Sequence, residues 1–329
     1  MVPTEEDPIV DAAPNPFLAE GEWLKTALHT HTIRSDGDLE PEAHVSHHEW
    51  MGFDVVAITD HWTLTSVKSR ERIVTITGAE LAVDPLAPGR SSEILAIGID
   101  DIPEDPGGDR AHWEPIDNYF FKTFPDYPTA AAAITSQGGA AFVCHPYWSG
   151  LPLETIVGAT GVHGLEVFNA SAERDTGRGD SSYMWDLALE SGMALTGIAT
   201  DDCHYPGFDI GDAWTMVRAA ERSPEAVVAA LRAGAFYASA GPAIVDLQRS
   251  GDEVEVVCGP ASSVVLHSSF ERGTAIRADH RGMQQHGRIL ERDDASLVRR
   301  ARLGVDPRAS FVRVVVTDTS GRSAWTNTI

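Results

Sequence analysis

Six short apolar runs in this chain end in His, Asp, Glu or Asn, and helical segments lie between them. The first closes on Leu28-His29-Thr30-His31, behind Trp23, Leu24 and Ala27. Residues 54–59 run into Asp60-His61, and residues 73–77 into Gly78-Ala79-Glu80. Residues 140–143 precede Cys144-His145-Pro146, residues 164–168 precede Asn169, and residues 195–199 precede Thr200-Asp201-Asp202-Cys203-His204. Apolar runs of this length suit strands buried on both faces. Pro41–Met51, Pro128–Gln137, Ser181–Ser191 and Pro224–Ala233 start on proline or serine and stop at glycine, as helices do. Strands alternating with helices imply a parallel sheet. Metal-type residues at the C-terminal strand ends imply an α/β fold, a β/α (TIM-like) barrel carrying its site on that face.

The His29-x-His31 pair puts two imidazoles on one side of an extended chain, because side chains there repeat every two residues. Two neutral imidazoles that close suit a transition metal. By itself the motif is common. The further acids and histidines at the ends of the other runs give it weight.

Taken in order, His29-x-His31, Ser35-Asp36-Gly37, Thr59-Asp60-His61, Gly78-x-Glu80, His145-Pro146 and Asp202-x-His204 resemble the successive motifs of the PHP (polymerase and histidinol phosphatase) family over about residues 20–240. The Trp23 to His31 opening and the Ala324-Trp325-Thr326-Asn327 ending resemble its carbaryl-hydrolase-like branch. The resemblance implies a distorted seven-stranded β/α barrel with two or three divalent metals, zinc, manganese or iron. It places His29, His31, Glu80 and Asp202 on the first metal. Glu80 then bridges to a second metal shared with His145, and Asp36, His61 and His204 hold a third. Glu93, in Ser92-Glu93-Ile94-Leu95, stands where members often have a histidine. It is either a carboxylate replacement or a misaligned neighbour.

Two close metals lower the pKa of a shared water towards neutrality, which supplies a hydroxide nucleophile. The cluster stays net positive and attracts an anion. Arg34, between two motifs, and Arg174 and Arg178, after Asn169, either grip phosphate in a bidentate way or are solvated loop arginines. Glu80, Asp202, His204 and Arg34 are the candidate catalytic groups. Asp60 and Asp201 neighbour ligands and are expected to orient imidazoles or water. Glu166 is either a supporting acid or a structural hydrogen-bonding group. Tyr147 and Trp148 either wall the pocket or simply pack. His44, His47 and His48 are expected at the surface. His112, His163, His267, His280 and His286 belong to no ligand pattern.

A net charge of −24 repels polyanions, so nucleic acid is not an expected partner. No apolar run of about 18 residues suggests a membrane span, and the acidic beginning lacks a signal-peptide pattern. Three cysteines, two beside candidate ligands, fit a reducing cytoplasm better than a disulfide framework. Residues 1–241 are expected to form the barrel. Residues 242–329, with β patterns at 243–248, 253–258, 263–268 and 311–317 and a last strand through Trp325, are expected to form a small β-sandwich. The expected activity is hydrolysis of a small, anionic phosphate ester. Carboxyl-ester, carbamate or amide hydrolysis is the alternative, and a non-catalytic metal-binding module the third reading. Oligomeric state is not legible.

Overall fold

The computed structural model describes residues 14–84, 91–103, 123–269, 272–279 and 286–329; His112 and His280 lie outside them. The strands are β1 Glu22–Ala27, β2 Val55–Ile58, β3 Val74–Val83, β4 Glu93–Ile97, β5 Thr123–Phe124, β6 Ala140–Val143, β7 Gly164–Asn169, β8 Thr196–Thr200, β9 Trp214–Ala219 and β10 Phe236–Ser239. They continue with β11 Ile244–Ser250, β12 Glu253–Ala261, β13 Ser263–Ser268, β14 Thr274–Arg277, β15 Gly287–Arg292, β16 Val298–Gly304, β17 Val312–Thr317 and β18 Ser323–Thr326. The helices are α1 Pro41–Trp50, α2 Tyr127–Thr135, α3 Pro146–Ser149, α4 Leu153–Gly158, α5 Ala170–Thr176, α6 Ser182–Glu190 and α7 Pro224–Ala233.

The apolar runs become strands because both of their faces are covered. Every residue of β2 and β6 is buried. Along one large sheet the order β1-β2-β3-β4-β6-β7-β8 is continuous. The pairs β1–β2, β2–β3, β6–β7 and β7–β8 are parallel. Strand β4 runs antiparallel to both β3 and β6, so the sheet is mixed. No strand ladder among the described residues closes β8 onto β1. Past the strand ends, the His31 N–H donates to Cys203 O at 2.8 Å and Thr30 bridges Cys203 in parallel fashion.

Helix signals worked through identifiable atoms. The Asp126 carboxylate caps α2 by accepting from the Thr129 N–H, and the Ser223 hydroxyl caps α7 by accepting from the Ala226 N–H. Ser181 does not cap α6; its hydroxyl accepts from the Tyr147 N–H instead.

The C-terminal strands are not set apart from the rest. β18 pairs with β10, and β17, β13 and β14 extend the same large sheet. A second sheet, ordered β11-β12-β16-β15, shares one apolar cluster with it, in which Leu247, Val256 and Leu303 meet Val264, Leu266 and Val314. The tail is also stitched to the strands that carry the site. The Asn327 side chain accepts from the Gly197 N–H and donates to Gly234 O and Phe236 O. Trp325 stacks on Phe168 at 5.5 Å. Arg313, wholly buried, donates to Asp186 on α6 at 2.7 Å and lies over Trp185. No helix among the described residues is long and apolar enough to cross a membrane.

Candidate metal centre

The strand ends bring His29, His31, Asp36, His61, Glu80, Glu93, His145, Asp202 and His204 into one cluster. Glu80 is its hub. Its Oε2 lies 3.1 Å from His29 Nε2 and 3.3 Å from both His31 Nε2 and His61 Nδ1, and its Oε1 lies 3.3 Å from His145 Nε2. Asp202 Oδ1 is 3.2 Å from His29 Nε2 and 3.3 Å from His31 Nε2. Asp36 Oδ2 lies 3.4 Å from Nε2 of both His61 and His204, and the His31 and His204 rings stack at 4.1 Å.

Glu93 joins this cluster through sheet register. It pairs with Ala82 across β3–β4, which puts it on the face that Glu80 shares two residues away. Its carboxylate reaches His145 Nε2 at 3.4 Å and His61 Nδ1 at 3.9 Å. Arg34 is not brought in. Its guanidinium faces Glu40 at 3.8 Å, both side chains well exposed.

Several atoms here are buried with no hydrogen bond: Nε2 of His29 and His31, Oε1 of Glu80, and Oδ1 of Asp36 and Asp202. A buried polar atom without a partner is costly, and lone pairs of five imidazoles and four carboxylates aimed at one volume fit divalent cations with mixed nitrogen and oxygen donors. Electrostatics lead to the same conclusion. Burial opposes charge on the imidazoles, but Glu80, Glu93 and the aspartates outweigh it and raise His145 and His204 to about 9 and His61 to about 10. Burial works against the Asp36, Glu80 and Asp202 carboxylates too, yet the imidazoles hold all three below the ordinary carboxylate range. Glu93 goes the other way, up to about 7, through burial and the neighbouring Glu80 charge. The site therefore calls for positive charge, which protons or metals can provide.

A second ring of groups fixes the imidazoles. Glu166, wholly buried, accepts from His29 Nδ1–H at 2.8 Å and the Thr200 hydroxyl at 2.6 Å on one oxygen. Its other oxygen accepts from the His145 N–H at 2.7 Å and from Asn169 Nδ2 at 2.9 Å. Asn169 also donates to Asp202 at 3.2 Å. His145 Nδ1 is bonded to Ser149 Oγ at 2.8 Å, and His204 Nδ1–H donates to Asp202 O at 3.0 Å. Each of these bonds leaves Nε2 facing the cluster, as metal-ligating histidines require. Glu166 is thus a supporting acid. Ser149, Asn169 and Thr200 were not singled out as such from sequence.

The neighbouring aspartates act on backbone rather than on imidazoles. Asp60 accepts from the Thr32 N–H and from the hydroxyls of Thr32, Ser35 and Thr65, pinning the loop after His31. Asp201 accepts from the N–H groups of Gly211, Asp212 and Ala213. His145 and Asp202 have positive φ (25° and 54°), a conformation costing on the order of 1–3 kcal/mol in a non-glycine residue and concentrated at functional sites.

The cluster floors a cavity of about 480 Å³ whose walls include Trp148, Ser171, Arg174, Tyr205 and Phe208. Arg174 donates to Asp212 and to Phe208 O. Trp148 is part of this wall, whereas Tyr147 faces Arg178 outside it. His44 and His48, expected at the surface, are fully buried. Four residues apart on α1, they share its inner face.

No family model matches the chain, and no curated protein does. Among solved structures it is similar to a two-domain protein from Bacteroides vulgatus containing a predicted PHP-like metal-dependent phosphoesterase, at 19% identity over 97% of this chain and 98% of that one, TM-score 0.46. It is also similar to an amidohydrolase from Chromobacterium violaceum with bound sulfate and no metal, at 18% identity over 56% and 89% of the two chains, TM-score 0.39. A lesion-specific endonuclease from Pyrococcus furiosus is similar at 10% identity over 64% and 56%, TM-score 0.45. These are distant likenesses of fold.

Proposed function

We propose that the chain is a metal-dependent hydrolase of the PHP type, in the carbaryl-hydrolase-like branch, and that it cleaves a small anionic phosphate ester. The observation that carries this reading is the convergence of five imidazoles and four carboxylates, with buried lone pairs unpartnered, on the floor of an open cavity. His29, His31, Glu80 and Asp202 would hold one metal, Glu80, His145 and Glu93 a second, and Asp36, His61 and His204 a third. When bound, such metals supply a water activated at neutral pH and positive charge for the reacting oxygens. The metals are zinc, manganese or iron.

The chain's own groups do the rest. Glu80 faces His29, His31 and His61 with one oxygen and His145 with the other, a bridging position. Glu166 and Ser149 hold His29 and His145 in the tautomer that leaves Nε2 unprotonated. His204 and Asp36 are the more open members, with side chains 21% and 35% exposed, and meet the substrate first. Arg174, on the cavity wall and braced by Asp212, takes the phosphate-gripping role that Arg34 cannot reach. The aromatic wall of Trp148, Tyr205 and Phe208 favours a second reading, hydrolysis of an aryl carboxyl ester, carbamate or amide on the same centre.

The proposal extends to architecture. β1, β2, β3, β4, β6, β7 and β8 form the seven staves of a distorted TIM-like barrel within residues 1–241, supported by the bridge between Thr30 and Cys203. Residues 242–329 form a β-sandwich domain that covers it. The free, buried cysteines favour a cytoplasmic setting. Screening metal-loaded protein against phosphomonoesters, phosphodiesters and aryl carboxyl esters tests the function. Turnover of phosphate esters that chelation abolishes is expected. Turnover of carboxyl esters alone establishes the second reading, and no turnover with filled metal sites refutes both.

A further inference from the structure

Behind the cluster, on the far side of the loop that carries Asp202 and His204, lies a second group of ligand-type side chains. His44 and His48, one turn apart on α1, and Cys203 place donor atoms within 4.8 Å of one another, and all three residues are buried. Cys203 sits between two residues of the main centre but points its sulfur the other way, towards α1.

Both nitrogens of His44, and Nε2 of His48, are buried with no hydrogen bond. His48 Nδ1–H donates to His44 O at 3.0 Å, which fixes the tautomer that presents a bare Nε2 to the group. Asp209 completes it. Its Oδ1 accepts from the Cys203 thiol at 3.1 Å, and the carboxylate is anchored by the N–H groups of His204 and Tyr205. Burial keeps both imidazoles neutral at pH 7, with His44 well below 6.5 and His48 at about 4.

We propose that His44, His48 and Cys203, with Asp209 at the fourth position, form a separate structural site for one divalent metal of zinc type. Two imidazoles, a thiolate and a carboxylate are a closed tetrahedral donor set. A dication with one thiolate and one carboxylate is neutral overall, which a buried site tolerates. On binding, the sulfur–metal bond replaces the S–H bond and the thiol proton leaves to solvent. The metal would tie α1 to the point where the His29–His31 segment meets the Asp202–His204 loop, since the His31 N–H donates to Cys203 O. It acts as a staple behind the hydrolytic centre and takes no part in the reaction.

The main centre offers nitrogen and oxygen, so sulfur ligation separates the two sites. The test is cobalt(II) loading of the metal-stripped full chain, read by absorption. The wild type is expected to show a near-ultraviolet thiolate-to-cobalt charge-transfer band. Cys203→Ser should lose that band and bind one equivalent less metal. Cys144→Ser should keep it, although Cys144 also lies beside Glu80 and His145. His44→Gln should weaken the band without touching either thiol. A wild-type chain saturated with cobalt but lacking the band overturns the proposal, as does a band that survives Cys203→Ser.

Discussion

Glu166→Gln changes one atom, and the structure says what that atom does. Glu166 accepts four hydrogen bonds in a site with no water access: His29 Nδ1–H and Thr200 on one oxygen, the His145 N–H and Asn169 on the other. A glutamine must point its NH₂ at one of these pairs. Facing His145 and Asn169 it meets two donors, and Asn169 cannot flip because its Oδ1 already accepts from the Ala172 N–H. Facing His29 and Thr200 is cheaper, since the Thr200 hydroxyl can rotate. That choice pushes the His29 proton from Nδ1 to Nε2, the atom that faces Glu80 and Asp202. The ligand is then blocked. Loss of such a partner lowers metal affinity about 10–100-fold, or about 1.4–2.8 kcal/mol. Competition against a chromophoric chelator at neutral pH measures it. The weakest-bound metal should release about 10–100-fold more readily with the helical and strand signals unchanged. Affinity within about twofold of wild type would refute the reasoning.

Glu80→Gln keeps the shape but not the charge that holds cations together, so turnover should fall to background while circular dichroism stays native; near wild-type rate would exclude a bridging role. Glu93→Ala should weaken one metal only, and Glu93→His should shift preference towards zinc; titrations unchanged at every site would remove Glu93 from the ligand set. Asp186→Ala leaves the buried Arg313 guanidinium without its carboxylate, whose Nη atoms already lack partners, and should cost about 3–5 kcal/mol in urea unfolding; a loss under about 1 kcal/mol would contradict the anchoring of the C-terminal strands. In the metal-free chain His145, His204 and His61 lie at about 9, 9 and 10, above the roughly 6.5 of an unfolded histidine. Their contribution to stability is therefore complete below about pH 6.5 and is lost as pH rises through about 9 to 10. The urea midpoint of chelated protein should drop over that window, and a flat profile would count against these imidazoliums.

The convergence of nine polar residues was legible because each sits at the end of an apolar run, and buried strands deliver their ends to one place. Glu93 was legible only as an oddity; the Ala82–Glu93 register explains it. The supporting ring was less visible. Ser149, Asn169 and Thr200 are ordinary residues whose roles depend on Glu166 reaching across two strands. His44 and His48 were misplaced because imidazole polarity suggested the surface. Helical spacing sets His44 and His48 on one face and His47 on another. Strands β14, β15 and β16 escaped notice because sequences such as Val298-Arg299-Arg300-Ala301-Arg302 bury alternate residues only. The expected break at residue 241 is bridged by the pairing of β18 with β10, a long-range contact no local pattern announces.

The most direct test is the metal content of the chain, by elemental analysis of protein loaded with zinc, manganese or iron. At least two equivalents should remain bound in a Cys203→Ser background, where only the main centre counts, and His29→Ala with His31→Ala should remove at least one of them together with activity. Fewer than one equivalent retained, or full occupancy in the double variant, would contradict the account.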